Sequence, residues 1–218
     1  MRYKVGNLEI RSENAAKPMS NAAAPLVDWI AQHDHVKAAL DYGCGKLRYT
    51  KHIAKICTSL GIVDSTIQLT RLQRLNGIVT TVQEYAKSKW PTCTIYKVEE
   101  FWDGIRESYN LILCTNVLSI IPCPRTRAKS LRSIHAALAM DGELLVVNQH
   151  TNSYFTEIRR KAGTRRHLDG WIAQSRRGAS YYGILNKDSV IHLLKRYAFR
   201  VKDSWIEGQS NYVLVTKG

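Results

Sequence analysis

Short apolar runs alternate with longer amphipathic stretches over most of this 218-residue chain. The apolar runs end at polar or glycine positions and suit buried strands, whereas the stretches between them repeat apolar residues at helical spacing. Strands are predicted over residues 36–41, 61–64, 92–98, 109–114, 143–148, 199–205 and 211–216. Helices are predicted over residues 25–32, 49–59, 65–90, 125–139 and 186–197, and the pattern over 65–90 is interrupted near Gly77. This alternation predicts an α/β domain with a mostly parallel sheet and helices on both faces.

Two segments fall outside this alternation. Residues 1–20 form a polar, irregular or hairpin-like lead, and residues 149–185 match no standard connection between a strand and a helix. The second segment combines glycines and arginines with aromatic side chains, namely Tyr154, Phe155, Trp171, Tyr181 and Tyr182. A loop this long inside a compact domain is usually functional. We therefore expect residues 149–185 to be an insertion that caps a pocket or contacts a ligand.

A glycine turn follows the first predicted strand. The strand ends in Asp41, and Gly43 and Gly45 come directly afterwards. Glycines supply positive φ and allow the backbone to approach a ligand closely. The second strand ends in Asp64, at roughly the offset expected of a carboxylate that binds a ribose at the tip of the second strand. The pattern predicts a nucleotide-like ligand at the carboxyl ends of these strands.

These residues resemble the class I S-adenosylmethionine-dependent methyltransferases, and the likeness extends over residues 36–150. Residues 109–118, Tyr-Asn-Leu-Ile-Leu-Cys-Thr-Asn-Val-Leu, and residues 140–148, Met-Asp-Gly-Glu-Leu-Leu-Val-Val-Asn, are similar to the family's fourth and fifth strands. Asn110 stands where the family usually has an acid, and Asp141-Gly142 replaces the usual glycine pair. The resemblance implies one domain over residues 1–218, with a seven-stranded Rossmann-like sheet whose C-terminal strand is antiparallel.

Other interpretations of the glycine turn remain open. A nicotinamide or flavin dinucleotide site needs a third glycine for close helix–strand packing, and that position holds Arg48. An ordinary tight turn between a strand and a helix also fits a lone pair of glycines. Asp64 could equally be a helix N-cap, because a helical pattern follows it.

The resemblance implies S-adenosylmethionine as cofactor and assigns residues to it. The implied cofactor-binding residues are Asp41, Gly43, Gly45, Asp64, Ser65, Thr66, Glu100, Phe101 and Asn116. The implied acceptor-side residues are Asn116, His150 and Tyr154, with a turn-forming asparagine and a structural histidine as alternatives.

Absent motifs narrow the methyl acceptor. The segment after the fourth strand, Cys-Thr-Asn-Val at 114–117, lacks the Asp/Asn-Pro-Pro-Tyr/Phe turn with which amino-methyltransferases of DNA clamp a flipped base. Pro122-Cys123 matches the dipeptide of cytosine C5 enzymes, but a free cysteine is more often a small buried hydrophobe.

The charge of the chain points to a polyanionic partner. The formal net charge is +14, and the isoelectric point is near 9.7. Arginines with an interleaved aromatic residue suit phosphate contacts and base stacking. The predicted substrate-binding residues are Arg159, Arg160, Arg165, Arg166, Trp171, Arg176 and Arg177. RNA is the favoured acceptor; a small molecule under a cap, or a non-catalytic cofactor- or RNA-binding module, are the alternatives.

The cysteine content, the lengths of the apolar runs and the N-terminal pattern indicate the cellular compartment. Five cysteines without a Cys-x-x-Cys pair argue against a disulfide framework or a zinc knuckle, and we predict no metal site. No apolar run approaches the length that spans a bilayer, and the N-terminus lacks a signal pattern. A cytoplasmic protein is expected; the sequence does not indicate its oligomeric state.

Overall fold

The computed structural model describes residues 1–151 and 153–218. Its strands are β1 Arg2–Val5, β2 Leu8–Arg11, β3 Val36–Tyr42, β4 Cys57–Asp64, β5 Gln73–Leu75, β6 Ile78–Thr80, β7 Thr94–Lys97, β8 Tyr109–Thr115, β9 Leu138–Gln149, β10 Arg165–His167, β11 Gly170–Ser175, β12 Gly178–Gly183, β13 Phe199–Glu207 and β14 Ser210–Lys217. Its α-helices are α1 Ala24–Ala31, α2 Thr50–Ile53, α3 Thr66–Thr70, α4 Val82–Lys89, α5 Val98–Asp103, α6 Pro124–Ala137, α7 Ser153–Arg160 and α8 Lys187–Lys195. Short 3-10 helices cover Ser12–Ala15, Met19–Asn21 and Leu118–Ile120.

The central sheet has seven strands in the order β13-β14-β9-β8-β3-β4-β7. β3 pairs in parallel with β4 and β8, and β8 pairs in parallel with β9. β14 is antiparallel to both β9 and β13. The predicted mostly parallel sheet with one antiparallel C-terminal strand is therefore confirmed. The order reverses between β3 and β8, which is where an open α/β sheet binds its ligand.

Helices bury both faces of this sheet. On one face, α5, α6 and α8 pack through residues such as Phe101, Leu131 and Val190 against the β8–β9 centre. On the other face, α1, α2 and α4 pack through residues such as Ile30 and Ile53. Each fully buried side chain of this size contributes about 1.5–3 kcal/mol. The two layers hold the strand ends of the central sheet in fixed positions.

A second sheet, which we call the cap, replaces the expected loop over residues 149–185. It has five strands in the order β1-β2-β12-β11-β10, so it joins the N-terminal hairpin to the insertion. β12 pairs in parallel with β2 where Ala179 faces Ile10. Ile10, Ile172 and Tyr181 form a small core of their own. The insertion gains backbone partners from the first residues of the chain, and the sequence pattern of the insertion alone gave no indication of that pairing.

A buried ion pair docks the cap on α6. The Arg127 guanidinium donates to both carboxylate oxygens of Asp169, at 2.9 Å for Nη2 to Oδ1, and its Nε donates to the Ile121 carbonyl at 2.9 Å. The Tyr181 hydroxyl also donates to Asp169. Burial acts to raise the pKa of Asp169, but the hydrogen bonds from Arg127 and Tyr181 outweigh it and hold that pKa below its usual value. Arg127 thus fixes the cap rather than adding free positive charge.

Three predicted elements differ from those in the structure. The helix expected over 65–90 is broken into α3, the hairpin β5–β6 and α4, because Asn76 and Gly77 both adopt positive φ in a tight turn between the strands. The helix expected over 49–59 ends at Ile53, and β4 begins at Cys57, earlier than predicted. The loop expected after the third strand is helix α5.

Candidate functional site

A cleft of about 910 Å³, counting its open mouth, lies at the carboxyl ends of β3, β4 and β8. The central sheet forms its floor, and the N-terminal segment closes it from above through Tyr3, Glu13 and Ala16. This position is the crevice where the strand order reverses. Polar and apolar side chains from several elements line it, as in sites that bind small ligands.

The predicted glycine turn forms one wall of the cleft. Gly43 has φ +79°, and its N–H donates to the Val63 carbonyl at 2.8 Å. A Cβ at Gly43 would lie 2.2 Å from Cγ2 of Val117, so no larger residue fits there without displacing the chain. Gly45 has φ +56° and packs against Ala16. Both glycines thus adopt the positive φ that the sequence led us to expect, and at Gly43 the contact with Val117 also excludes a side chain.

Asp64 lies at the tip of β4 and borders the cleft. Its Oδ2 accepts a hydrogen bond from the Gly45 N–H at 2.8 Å, and its Oδ1 accepts one from the Ser65 N–H at 2.7 Å. Burial raises the pKa of Asp64 despite these hydrogen bonds. The N-cap of α3 is Ser65, whose hydroxyl accepts from the Gln68 N–H, so the alternative role of Asp64 as the N-cap does not apply. Backbone amides thus hold an acidic group at the centre of the cleft.

Asp41 is a further carboxylate of the cleft, and it is buried. The Thr50 hydroxyl donates to its Oδ2 at 2.5 Å. Burial raises the pKa of Asp41 to about 6. Together with the partly buried Asp64, it favours a ligand that carries positive charge or hydroxyl donors, because such a ligand restores the interactions that burial removes.

Asn116 follows β8 in the left-handed conformation, with φ +57°. Its Oδ1 accepts a hydrogen bond from the Gln149 N–H at 2.8 Å, and its own N–H donates to the Val147 carbonyl at 2.7 Å. The residue borders the cleft and also ties the end of β8 to the end of β9. Beside it, the buried hydroxyl of Thr115 has no hydrogen-bond partner in the described part of the chain.

His150 and Tyr154 are not among the described residues that line the cleft. The His150 N–H donates to the Gln209 carbonyl at 3.0 Å, and the Tyr154 hydroxyl lies 3.1 Å from that of Tyr182 in the cap. Both residues lie on the connection from β9 into the cap. Their acceptor-side roles remain predictions.

The residues after β7 differ from those predicted. Glu100 points to solvent and pairs with Lys97, and Phe101 is buried against Tyr42. Val98 and Trp102, one helical turn apart, border the cleft instead. Trp102 donates its Nε1–H to the Tyr42 hydroxyl at 3.1 Å. The shift arises because residues 98–103 form a helix, which places side chains four residues apart on the same face.

The remaining predicted cofactor residues, Ser65 and Thr66, differ in whether they line the cleft. Ser65 lines the cleft, whereas Thr66 is exposed beside Glu99, at 3.4 Å between Oγ1 and Oε2. Gln68 lines the cleft and was not predicted; its Nε2 donates to the Gly45 carbonyl at 2.6 Å. Its position three residues after Ser65, on the same face of α3, was the available signal.

The N-terminal segment is the largest contribution that the sequence did not indicate. Tyr3 and Glu13 lie in the cleft wall, and burial strongly raises the pKa of the Tyr3 hydroxyl. Glu13 is buried and pairs with Arg2 at 3.2 Å. The contacts that bring these residues to the site are long-range and have no local motif: β2 pairs with β12, and Arg71 donates to the Glu13 carbonyl at 2.9 Å.

The predicted substrate-binding residues lie in the cap and on α7. The arginines among them are exposed, and none of the seven predicted residues lines the cleft in the part of the chain that the structure describes. They are Arg159, Arg160, Arg165, Arg166, Trp171, Arg176 and Arg177. The Arg166 guanidinium lies 5.5 Å from the Trp171 ring centroid. The Arg177 carbonyl accepts from the side chain of Asn14 at 3.1 Å, which places this turn beside the N-terminal segment.

Two further features concern the whole described chain. Its residues include no cluster of three or more His, Cys, Asp or Glu side chains that could hold a metal ion. Within the same residues, no helix has both the length and the apolar character needed to cross a membrane. All five cysteines are free thiols.

No protein-family model matches this chain, but a relative matches it over almost its whole length. It is 36% identical over 215 residues to the uncharacterized protein YmfD of Escherichia coli strain K12, and the match covers 99% of this chain and 96% of YmfD.

Solved structures share the fold at low sequence identity. The PH0226 protein of Pyrococcus horikoshii OT3 matches with a TM-score of 0.67 at 11% identity, over 90% of this chain and 88% of that one. The 1,6-didemethyltoxoflavin-N1-methyltransferase of Burkholderia thailandensis was solved with 1,6-didemethyltoxoflavin and S-adenosylhomocysteine bound. It matches with a TM-score of 0.62 at 15% identity, over 91% of this chain and 80% of that one. The N-methyltransferase NodS of Bradyrhizobium japonicum WM9, solved with S-adenosylhomocysteine, matches at 0.59 and 14%, over 92% and 88%.

These matches confirm the fold that the glycine turn and the later strands predicted. The chain belongs to the same protein family as YmfD and has the fold of the class I S-adenosylmethionine-dependent methyltransferases.

Proposed function

We propose that this protein is an enzyme that transfers a methyl group from S-adenosylmethionine to a small molecule held under the cap. The observation that carries the proposal is the cleft itself: Gly43, Gly45 and Asp64 meet at the strand ends, and backbone amides fix the carboxylate. Structures with this fold bind S-adenosylhomocysteine in other proteins.

The residues present suit this cofactor. Asp64 would bind the ribose hydroxyls, and Asp41 with the glycine turn would border the amino-acid portion. Val98, Trp102 and Ser65 offer an apolar and hydroxyl-lined site for the adenine. The Thr115 hydroxyl, buried and without a partner in the described chain, is available to a ligand. S-adenosylmethionine, when bound, supplies an electrophilic methyl group on a sulfonium.

The chain's own contribution to such a transfer is position. Methyl transfer is an in-line displacement, so a protein accelerates it by aligning acceptor and donor and by excluding water. Asn116 borders the cleft where an acceptor would enter, and the cap closes that side. His150 and Tyr154 lie on the connection that carries the cap, so a role in aligning the acceptor is retained for them as part of this proposal.

A small acceptor is favoured over RNA. The exposed arginines lie on the cap and α7, outside the residues that line the cleft, and the N-terminal segment covers part of the cleft through Tyr3, Glu13 and Ala16. The comparison proteins named above as methyltransferases include one that is named for 1,6-didemethyltoxoflavin and was solved with that molecule bound. Five free thiols support a reducing cytoplasm as the place of action.

The test is the affinity for S-adenosylhomocysteine, measured by calorimetry on wild type and on Asp64→Ala. Loss of the Asp64 carboxylate should weaken binding by about 1.5–3 kcal/mol, the contribution of a charge-assisted hydrogen bond. Asp203→Ala is the matched control, because the Asp203 carboxylate also accepts from the following N–H but lies exposed in β13. Equal affinity for all three proteins would contradict the cofactor assignment.

A further inference from the structure

Three basic residues from three different elements lie near one side of the cleft. Lys46 lines the cleft. Arg71 follows α3 and donates to Glu13 and Gln68, which line the cleft, and Arg177 lies at the exposed tip of the β11–β12 hairpin, where Asn14 holds its carbonyl. We call Lys46, Arg71 and Arg177 the cation triad. Only Lys46 belongs to the glycine turn itself, so the triad forms only when the cap is docked.

Hydrogen bonds fix the parts of the triad next to one another. Arg71 Nη2 donates to the Glu13 carbonyl at 2.9 Å and to Gln68 Oε1 at 2.7 Å, and Gln68 in turn donates to the Gly45 carbonyl. This arrangement places Arg71 beside the residue that precedes Lys46. On the cap side, the Arg177 carbonyl accepts from Asn14, the neighbour of Glu13.

The positive charges of the triad act on one another. Burial and then the charges of Arg71 and Arg177 lower the pKa of Lys46. Burial also lowers the pKa of Arg71, while Glu13 and Asp64 oppose that effect and Arg177 adds to it. Like charges brought this close raise the free energy of the folded protein, and an anion between them would relieve the repulsion.

Carboxylates of the chain itself do not neutralise the triad. Within residues 1–151 and 153–218, no carboxylate oxygen lies within 4.0 Å of the charged nitrogens of the triad. The nearby Glu13 is paired with Arg2, and Asp64 accepts from the backbone of Gly45 and Ser65. The Nε of Arg71 is buried without a hydrogen-bond partner in the same residues.

We propose that the cation triad binds an anionic group, a carboxylate or a phosphate, of the methyl acceptor. This assignment rests on the proposed function, because it names the acceptor class of the same cleft. S-adenosylmethionine carries a single carboxylate, which does not match three cations. Arg177 also belongs to the cap, on the side where the proposed function places the acceptor.

The experiment measures binding of inorganic phosphate and of citrate by calorimetry at constant ionic strength, with and without saturating S-adenosylhomocysteine. Comparison of the two probes distinguishes a phosphate from a carboxylate site. We expect at least one probe to bind in the presence of S-adenosylhomocysteine, and Arg177→Ala and Lys46→Ala each to weaken it about tenfold. Arg200→Ala, an equal loss of charge at an exposed position in β13, should leave the affinity unchanged.

Two results would overturn the assignment. If S-adenosylhomocysteine abolishes binding of both probes, the triad serves the cofactor's own carboxylate. If neither probe binds in either condition, or if Arg200→Ala weakens binding as much as Arg177→Ala, the triad is an exposed charged surface without a site. Failure of S-adenosylhomocysteine itself to bind would contradict the proposed function instead, and the titrations without it would still report on the triad.

Discussion

The two sides of the cleft are assembled in different ways. The floor takes its residues from the ends of neighbouring parallel strands: Asp41 pairs with Ile62, and Asp64 follows two residues later at the tip of β4. The cap pairs two strands that are far apart in the sequence, β2 near the N-terminus and β12 in the insertion. The cofactor side is thus encoded locally, whereas the acceptor side depends on one long-range pairing and one buried ion pair.

The two sides also differ in charge. The floor holds buried acids, and the rim near the cap holds the cation triad. A ligand pair with a cationic donor and an anionic acceptor would satisfy both. Part of the net charge of +14 therefore lies near the cleft, in the cation triad, apart from the other exposed arginines on the outer surface of the cap.

The substitution with the largest expected effect, Gly43→Ala, destabilises the floor of the cleft and leaves the cap unchanged. Gly43→Ala places a Cβ 2.2 Å from Val117 and forces alanine to adopt φ +79°. Together these strains should lower the free energy of unfolding by about 2–4 kcal/mol and remove S-adenosylhomocysteine binding. Urea unfolding and calorimetry check both effects. Gly208→Ala has φ +57° but open space around its Cβ, so it should cost only about 1 kcal/mol. Equal losses would show that Val117 does not constrain the turn.

A pH profile tests whether the floor is as dry as its burial implies. The pKa of Asp41 is raised to about 6, so between about pH 4 and pH 6 the folded protein holds a proton that the unfolded chain has released. The free energy of unfolding should therefore fall by up to about 3 kcal/mol as pH rises through this window and stay flat for this group above it. Asp41→Asn should lose that slope. Parallel urea-unfolding profiles for the two proteins would contradict the burial of Asp41.

The next effect breaks the cap and spares the floor. Arg127→Leu leaves Asp169 without its cation, and because the Asp169 side chain is 31% exposed we expect a loss of about 2–3 kcal/mol rather than the full cost of a buried charge. Trypsin should then cut within residues 165–177 faster. Lys202→Ala removes the exposed pair with Glu143 and should cost less than about 1 kcal/mol. Similar stability and cleavage for both variants would mean that the ion pair does not hold the cap.

The smallest effect concerns the outer surface of the cap. Arg166→Ala removes a cation from above the Trp171 ring and should cost about 0.5–1 kcal/mol in urea unfolding. Arg165→Ala, its neighbour on the opposite side of β10, serves as the control and should cost less. A larger loss for Arg165 would show that the basic surface is organised differently.

The fold and the cofactor side could be predicted from the sequence because their signals are local. A strand that ends in Asp41, a glycine pair and a second acid lie within one stretch of chain, and φ restricts Gly43 and Gly45 to their residue type. Val98 and Trp102 were missed because a short loop and a short helix give the same pattern over six residues. In each of these cases, the geometry is decided within a few residues of the side chain concerned.

The sequence indicated residues 149–185 as an insertion that caps a pocket or contacts a ligand, but not the sheet that joins it to the N-terminal hairpin, because nothing local specifies that pairing. Tyr3 and Glu13 reach the cleft through the pairing of Ile10 with Ala179, and no motif in either segment indicates the other. The arginines of residues 159–177 suggested RNA because a sequence shows the charge and not the direction in which it faces. The structure separates Arg127, held in an ion pair, from arginines exposed on the cap.

The most direct test of the central claim is transfer itself. The protein would be incubated with methyl-tritiated S-adenosylmethionine and a deproteinised extract, and the counts separated by size, by nuclease sensitivity and by anion exchange. A small-molecule methyltransferase with an anionic acceptor predicts counts in a small, nuclease-resistant fraction retained on the anion exchanger, and less of it with Arg177→Ala. Counts in a nuclease-sensitive polymer would contradict the small-molecule assignment and restore RNA as the acceptor.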